Sequence, residues 1–401
     1  MKLTEGLRVI DITNNYAGPG AAAILAEYGA EVIHVEKPVL GDDGRHYPPI
    51  INGESMCFVR TNQGKKSVVL DMKDPRGKKL ILDMIRDSDI LIESNRPGVM
   101  ERLGLDYDSV KELNPGLIYC SVSAFGQTGP YSRRPGYDVI AQAYSSVMYK
   151  TGTPQGGPTK IGMVLGDSLG TLNAFCQIMC ALYYREKTGE GQFIDVSLAR
   201  GLMSISANFD FEQTGVMQTR MGNHDRGLCP YGVFLGNNDE AIVIGAVNTA
   251  TWVNLCRAMG REELAYDPDF VTNDKRVANK ERVIEIVTEW VKSVPHIQDC
   301  EKRLMECGVP CSIIYNDRML LADEHANACG WITEMPLAEP ANQERHYHIV
   351  AGGFGLSKCT PEFNKAPLMG EDNYEILGRY GYSREEVDSM EREWAGKVHL
   401  K

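Results

Sequence analysis

The first half of the chain alternates short apolar runs with helical stretches, and that rhythm leaves few folds open. GLRVIDIT reads as a buried strand, AGPGAAAILAEYG as a helix opened by small residues and closed near Gly29, and EVIHVE as a second strand. KKSVVLDM, the helix DPRGKKLILDMIRDSD and the strand ILIES repeat the unit, and this strand breaks at Asn95, Arg96, Pro97 and Gly98. A short helix VMERLG, a helix ending near Pro115 and the strand GLIYCSVSAFG follow. Strands alternating with helices predict an α/β fold with a mostly parallel, Rossmann-like sheet covered on both faces. Ligands of such sheets bind beyond the carboxyl ends of the strands, where Asn15, Ser94 and Gln127 fall.

The segment KIGMVLGDSLGTLNAFCQIMCALYY puts a carboxylate, Asp167, between Gly166 and Ser168, where a long apolar helix should begin. Asp followed by Ser is an ordinary N-cap. The first-turn amides of a helix are also free donors with partial positive charge, able to hold a carboxylate or an oxyanion forming beside it. Ser168 and its amide are candidate donors of this kind. GQFIDVSLARGLMSI gives one more strand and helix, after which VMQTRMGNHDRGLCPY, residues 216–231, loses periodicity. The predicted organisation is a large domain over 1–215, a smaller α+β domain over 216–310, and a linker and C-terminal part over 311–401. YGVFLGNNDEAIVIGAV reads as a hairpin through Asn237, Asn238 and Asp239; VPCSIIY, WITEMPL and HYHIVAGG read as short strands, and REEVDSMEREWAG as a closing helix.

With 42 basic and 54 acidic residues the net charge is −12, so no global basic field exists to hold nucleic acid or an anionic membrane. Any anionic ligand must be held by local donors. MKLTEGLRVIDI has no signal-peptide layout, and the longest apolar helix, around 169–184, is interrupted by Asn173 and Gln177 and too short to span a bilayer; a cytoplasmic protein is expected. The eleven cysteines, Cys120, Cys176 and Cys180 among them, read as reduced core residues. No metal site is expected: His346 and His348 alternate on a strand but lack a nearby third ligand.

AGPGAAA also satisfies the dinucleotide pattern G-x-G-x-x-A at Gly18, Gly20 and Ala23, with Glu36 ending the next strand as a ribose-binding acid would. A NAD-dependent dehydrogenase is therefore an alternative. Against it, Pro19 sits inside the turn without an N–H, and small residues serve close helix–strand packing equally well.

The succession VIDITNNYAGPGAAAILAEYGAEVIHVEKP, NQGKKSVVLDMKDPRGK, DILIESNRPGVMERLGLDY, NPGLIYCSVSAFGQTGPYSRRPGYDVIAQA, LGDSLGTLNA, REKTGEGQFIDVSL and APLMGEDNYEILGRYGY closely resembles the family III CoA-transferases, nearly end to end and in the same order. The resemblance implies a nucleophilic aspartate at Asp167. It implies contacts to coenzyme A from Asn15, Tyr16 and Ala17, from Leu70 to Lys73, from Ser94, Asn95 and Arg96, from Arg102, and from the segment Arg134 to Tyr137, with Asp138 matching a carboxylate that follows; Tyr137 and Asp138 are the candidates for contact with the reacting groups, Asp138 orienting one near Asp167. Some relatives carry an arginine where this chain has Pro38, beside Lys37, which could substitute as a point charge. The formyl-CoA transferases carry a glycine run in the small domain that FLGNNDEAIV lacks, which points away from formate and oxalate.

The chemistry implied is exchange of coenzyme A between two carboxylic acids through an aspartyl anhydride and an aspartyl-CoA thioester, with acyl-CoA as substrate and no metal or nucleotide redox cofactor. The resemblance also implies an interlinked homodimer whose C-terminal segment returns to the large domain. An acyl-CoA epimerase on the same fold is a further alternative. It would use a His and Asp pair, and here no His lies between His46 and His224.

Overall fold

The computed structural model describes residues 2–338 and 347–397, so His346 of the alternating His346 and His348 lies outside the described residues. Two compact units emerge, one formed by Met1–Val147, Lys160–Ala207 and Asn327–Lys401, the other by Met148–Thr159 and Asn208–Ala326. The loss of periodicity at residue 216 thus falls inside the second unit rather than at its edge. The backbone there is already irregular, and the amide of Gly222 donates to the carbonyl of Gly152 at 3.0 Å, tying the 148–159 segment into the same unit.

The first unit is built on six parallel strands: β1 (Arg8–Ile12), β2 (Glu31–Glu36), β3 (Lys66–Val69), β4 (Ile90–Glu93), β5 (Ile118–Ser123) and β6 (Gln192–Ser197). They pair in the order β3-β2-β1-β4-β5-β6. This doubly wound order reverses between β1 and β4, opening a crevice at their carboxyl ends. The helices are α1 (Ala17–Glu27), α2 (Pro75–Arg86), α3 (Val99–Leu103), α4 (Asp138–Tyr144), α5 (Leu165–Thr188) and α6 (Leu198–Ser206).

Successive strand residues face opposite cores, which is why these strands read as unbroken apolar runs. Val9, Ile90, Ile92, Ile118 and Ile194 pack with Ala21, Leu25, Phe175 and Ile178 of α1 and α5. Ile10, Ile33, Val68, Leu91 and Tyr119 pack on the other face with Leu80, Ile81, Met84 and Ile85 of α2 and with Ile376, Leu377, Met390 and Trp394 near the C-terminus. The C-terminal segment also satisfies the edge strand β3: Ser67 N donates to Asp372 Oδ2 at 2.8 Å and Val69 N to Asn373 Oδ1 at 2.8 Å.

α1 and α5 approach closely because both are lined with glycine. A Cβ on Gly20 would stand 2.7 Å from Thr171 Oγ1, and one on Gly170 would stand 3.2 Å from the Ala17 Cβ of α1. Helix α5 begins four residues before the apolar stretch that announced it and ends four after. Of the cysteines expected in the core, Cys120 is buried, whereas Cys176 and Cys180 are exposed on α5. The reason is geometric: they lie on the opposite face from Ala174, Phe175 and Ile178, which fill the core.

The second unit carries a three-stranded antiparallel sheet in which β8 (Ala241–Gly245) lies between β7 (Tyr231–Leu235) and β9 (Cys311–Ile313). Asn238 and Asp239 take positive φ at the hairpin. Its core gathers Phe234, Ile242, Trp252, Leu255, Val283 and Val287. The strands Ile332–Met335 and Tyr347–Val350 belong to the first unit and pair antiparallel.

Behind β1 lies a buried ionic chain. Asp11 Oδ2 accepts from Lys65 Nζ at 2.7 Å and lies 3.0 Å from His34 Nδ1, and His34 Nε2 lies 3.3 Å from Asp42 Oδ2. Lys65 also donates to the carbonyl of Pro19 at 2.9 Å and to Asn62 Oδ1 at 2.8 Å. Burial opposes a charge on His34, but Asp11 and Asp42 outweigh it and hold its pKa at about 9. Lys65→Met leaves Asp11 buried without its partner and should destabilise the fold by about 3–5 kcal/mol in urea unfolding, where a change under about 1 kcal/mol would contradict the role given to the pair. The raised pKa of His34 fixes a sign as well. Its contribution is complete below the ordinary histidine range and drains as pH rises towards 9, so wild-type stability should fall across that window more steeply than that of His34→Gln.

Candidate active site

Asp167 stands in the first turn of α5, one residue after Gly166. The N-cap residue Val164 offers no capping side chain, so the helix takes its cap from α4. Asp138 Oδ1 accepts from Gly166 N at 2.6 Å and from Asp167 N at 3.3 Å. Gln142, one turn along α4, locks the cap: its Nε2 donates to Asp138 Oδ2 at 2.7 Å and its Oε1 accepts from Ile161 N at 3.0 Å. Only glycine fits at 166, since a Cβ there would lie 2.9 Å from Asp138 Oδ1 and 3.0 Å from Leu202 Cδ1.

Among the described residues no donor holds the Asp167 carboxylate. Burial, and then the like charge of Asp138, push its pKa up to about 7. A half-buried carboxylate with free lone pairs and raised basicity is suited to attack rather than to structure.

The Asp167 carboxylate lines a cavity of about 360 Å³ at the switch between β1 and β4. Asn15, Tyr16, Ala17, Ser94, Asn95, Arg96 and Tyr137 line it too, so most of the residues implied by the resemblance meet in one place. Asn15 is held in the left-handed region at φ 74°, its amide donating to Asp42 Oδ1 at 3.1 Å, and its side-chain Oδ1 is buried without a partner. The buried chain behind β1 therefore ends, through Asp42, on a residue of this cavity. Ser94 Oγ accepts from Asn14 N at 3.0 Å, joining the loops that follow β1 and β4. The Arg96 guanidinium has neither an ion pair nor a hydrogen bond among the described residues, although the Arg96 carbonyl accepts from Val99 N at 3.0 Å.

Leu70, Lys73 and Arg102 line a second cavity of about 800 Å³, which shares Asn95 and Val99 with the first. Lys37 lines it as well and pairs with Asp43. Cations from Lys37, Lys73 and Arg102 at one end and an unencumbered carboxylate at the other suit an elongated anionic ligand.

Three expected site residues stand apart. Arg134 lies over the rings of Phe125 and Tyr131, 5.4 and 5.6 Å from their centroids, and lines neither cavity. Asp138 is buried as the cap of α5, and does not line the Asp167 cavity. Ser168 donates both its amide and its hydroxyl to the carbonyl of Val164, at 2.9 Å each, so neither is free for an oxyanion. Gln142 was not singled out in the sequence, although its position four residues after Asp138 put the two side chains on one helix face. The Asp11–His34–Lys65 chain gave no local signal, because its members come from three strands and loops far apart in sequence.

The dehydrogenase alternative fails on Glu36. Its Oε1 accepts from Arg45 Nη2 and Ser67 Oγ, both at 2.6 Å, and its Oε2 from Arg45 Nε at 2.7 Å and Asp42 N at 2.9 Å. Arg45 holds its pKa at about 2 against the opposing effect of burial, and no lone pair is left for a ribose. The small residues of the pattern serve packing instead, since a Cβ on Gly18 would meet Thr13 at 2.4 Å. No histidine lines the Asp167 cavity, and among the described residues no three His, Cys, Asp or Glu side chains converge as a metal site would require.

The family model for CoA-transferase family III matches residues 4–373. The chain is 43% identical over 280 residues to the acetyl-CoA:oxalate CoA-transferase of Acetobacter aceti, covering 69% of this chain and 72% of that protein. It is 33% identical over 389 residues to the human succinyl-CoA:glutarate CoA-transferase, covering 94% of this chain and 86% of that protein. The crystal structure of a CAIB/BAIF family protein from Brucella suis superposes with a TM-score of 0.83 at 30% identity, covering 94% of this chain and 99% of that one. With its sheet order, its cavity and its sequence in agreement, the chain belongs to the family III CoA-transferases.

Proposed function

We propose that this protein moves coenzyme A from an acyl-CoA donor to a carboxylic acid acceptor through covalent intermediates on Asp167. The observation that carries the reading is the free Asp167 carboxylate in the crevice beyond β1 and β4, beside a second cavity lined with cations. The other carboxylate of the crevice, Asp43, is already held by Lys37 and Asn14.

An Asp167 oxygen attacks the donor thioester carbonyl, the C–S bond breaks, and an acyl-aspartyl anhydride and coenzyme A thiolate result. The thiolate attacks the aspartyl carbonyl, releasing the donor carboxylate and leaving an aspartyl-CoA thioester. The acceptor carboxylate then displaces the thiolate to give a new anhydride, and the thiolate attacks the acceptor's carbonyl, freeing Asp167. Charge balances at each step without proton transfer, so no general acid is called for. The pantetheine arm would lie along Asn95, with the phosphates towards Lys73 and Arg102. Asn15 would offer its side chain to the oxyanion, and Asp138 would act indirectly by fixing the first turn of α5.

The acceptor we infer is a short dicarboxylic acid. Arg96 supplies an unpaired cation beside Asp167, and the relatives above are named for oxalate and glutarate. Oxalate belongs among the acids to test, despite the missing glycine run, because a relative named for it is 43% identical.

We also propose a homodimer. Tyr183 on α5 and Ile205 on α6 are 68% and 60% exposed, and Leu172 and Tyr184, also on α5, are open to solvent too, apolar surface that a second copy would cover. Light scattering at micromolar concentration should give twice the chain mass; a monomer would contradict this.

Asp167→Ala should lose on the order of 10⁴ or more in turnover while retaining coenzyme A binding. Hydroxylamine added during turnover should place a hydroxamate on the peptide bearing Asp167, and full activity in the variant would overturn the mechanism. Because the nucleophile is the ionised form and its pKa is raised to about 7, kcat/KM should climb as pH rises through 7 and fall below it. A profile flat across that range would show that Asp167 does not titrate there.

A further inference from the structure

Glu93 ends β4 at the point where the strand order reverses; it is 3% exposed, and the covalent mechanism above makes no use of it. Its Oε2 accepts from Asn95 N at 2.7 Å, and its Oε1 accepts from the hydroxyl of Ser121, directly across on β5. Ser121 Oγ accepts in turn from Gln127 Nε2 at 2.6 Å, and Gln127 N is fixed by Asp195 Oδ2 at 2.9 Å. One buried carboxyl thus ties the loop after β4 to the loop after β5.

What lies on that loop gives the tie its consequence. Asn95 lines the nucleophile's cavity, the cation-lined cavity and a third of about 210 Å³ behind the loop; Arg96 lines the first and third. Glu93 lines only the third, so it reaches the ligand cavities through Asn95 and not by contact. Among the described residues no cation holds Glu93: Arg96 lines the same cavity without pairing with it, the other charged groups there, Glu101, Asp106 and Asp108, are acidic, and Glu101 repels it. Such a group is costly to bury, and its two hydrogen bonds are what it provides in return. Burial pushes its carboxyl up to about 7, consistent with a group that serves as hydrogen-bond acceptor rather than as counter-ion.

We propose that Glu93 is a positioning residue for coenzyme A, fixing the Asn95–Arg96 backbone between the two ligand cavities and coupling it to the Gln127 loop. This rests on the coenzyme A reading above. It assigns Glu93 to ligand affinity and leaves the reacting carboxylate to Asp167.

Calorimetric titration of coenzyme A and steady-state kinetics on Glu93→Gln, Glu93→Asp, Glu93→Ala and Ser121→Ala test the assignment. Gln keeps an acceptor for Asn95 N and offers a donor to Ser121, so its affinity should stay within about threefold of wild type. Asp is one methylene short of spanning both partners, and both Asp and Ala should weaken coenzyme A binding and raise KM by roughly ten- to hundredfold with kcat changed little. Ser121→Ala keeps the Asn95 bond and should fall between. If the Ala variant does not fold, the Gln and Asp pair still decides, because it preserves volume and charge type in turn. Folded Asp or Ala variants that bind coenzyme A as tightly as wild type would overturn the assignment, as would a loss confined to kcat. A wild-type protein that does not bind coenzyme A at all would overturn the transferase reading and this one with it.

Discussion

The site depends first on a salt-bridged histidine and lysine that never touch the ligand cavity. Asp11 lies in the middle of the sheet, where an isolated carboxylate could not remain ionised, and Lys65 and His34 supply the charge that keeps it so. The geometry then propagates outward. Asp11 Oδ1 accepts from Thr13 N at 2.9 Å and fixes the exit of β1, Lys65 holds the Pro19 carbonyl at the start of α1, and Asp42 closes on Asn15 N. Asn15 is thereby kept in a backbone region that asparagine tolerates better than most residues, with its side chain committed to the cavity. An apolar replacement of the chain would fill the same volume and leave this loop with nothing to set its path.

A second constraint sets the reactivity of Asp167. Helix amides at the start of α5 would by themselves favour the anion and lower its basicity. The cap from Asp138 takes the two nearest amides and brings a negative charge close by, reversing that tendency along with burial. The same contact therefore holds the Asp167 carboxylate in place and keeps it basic. Gln142 makes this arrangement durable, since both ends of its amide are used, one on Asp138 and the other on the strand-like segment leading into α5.

The fold was legible because each strand and helix of the first unit carries its own local signal. The apolar runs, the turn residues after β4 and the small residues of α1 all act over a few positions. Asp167 was legible for the same reason, as a carboxylate at a helix start. What could not be read were relations across the sheet. Nothing near Asp138 in sequence says that it caps a helix beginning 27 residues later, and nothing near Ser168 says that Val164 takes both its donors. The dinucleotide pattern misled for a physical reason. Tight helix packing and close approach to a phosphate both select glycine, and only the partners of Gly18, Gly20 and Glu36 distinguish them.

Close packing of α1 against α5 also bears on where Asp167 can stand. The first turns of both helices open on the same crevice, one carrying Tyr16 and Ala17 and the other Asp167. Their separation is set by Gly20 against Thr171, with Thr171 Oγ1 donating to the Ala17 carbonyl at 3.0 Å, and by Gly170 against Ala17. A larger residue at either glycine would have to push the helices apart, and the shift would be felt at the crevice, since Asp167 lies one turn from Gly170. The proposed mechanism tolerates little misplacement, because the coenzyme A thiolate must reach the aspartyl carbonyl and then the acceptor's carbonyl in turn. The glycines that look like a nucleotide-binding signature are thus better understood as the spacing device that sets where Asp167 stands.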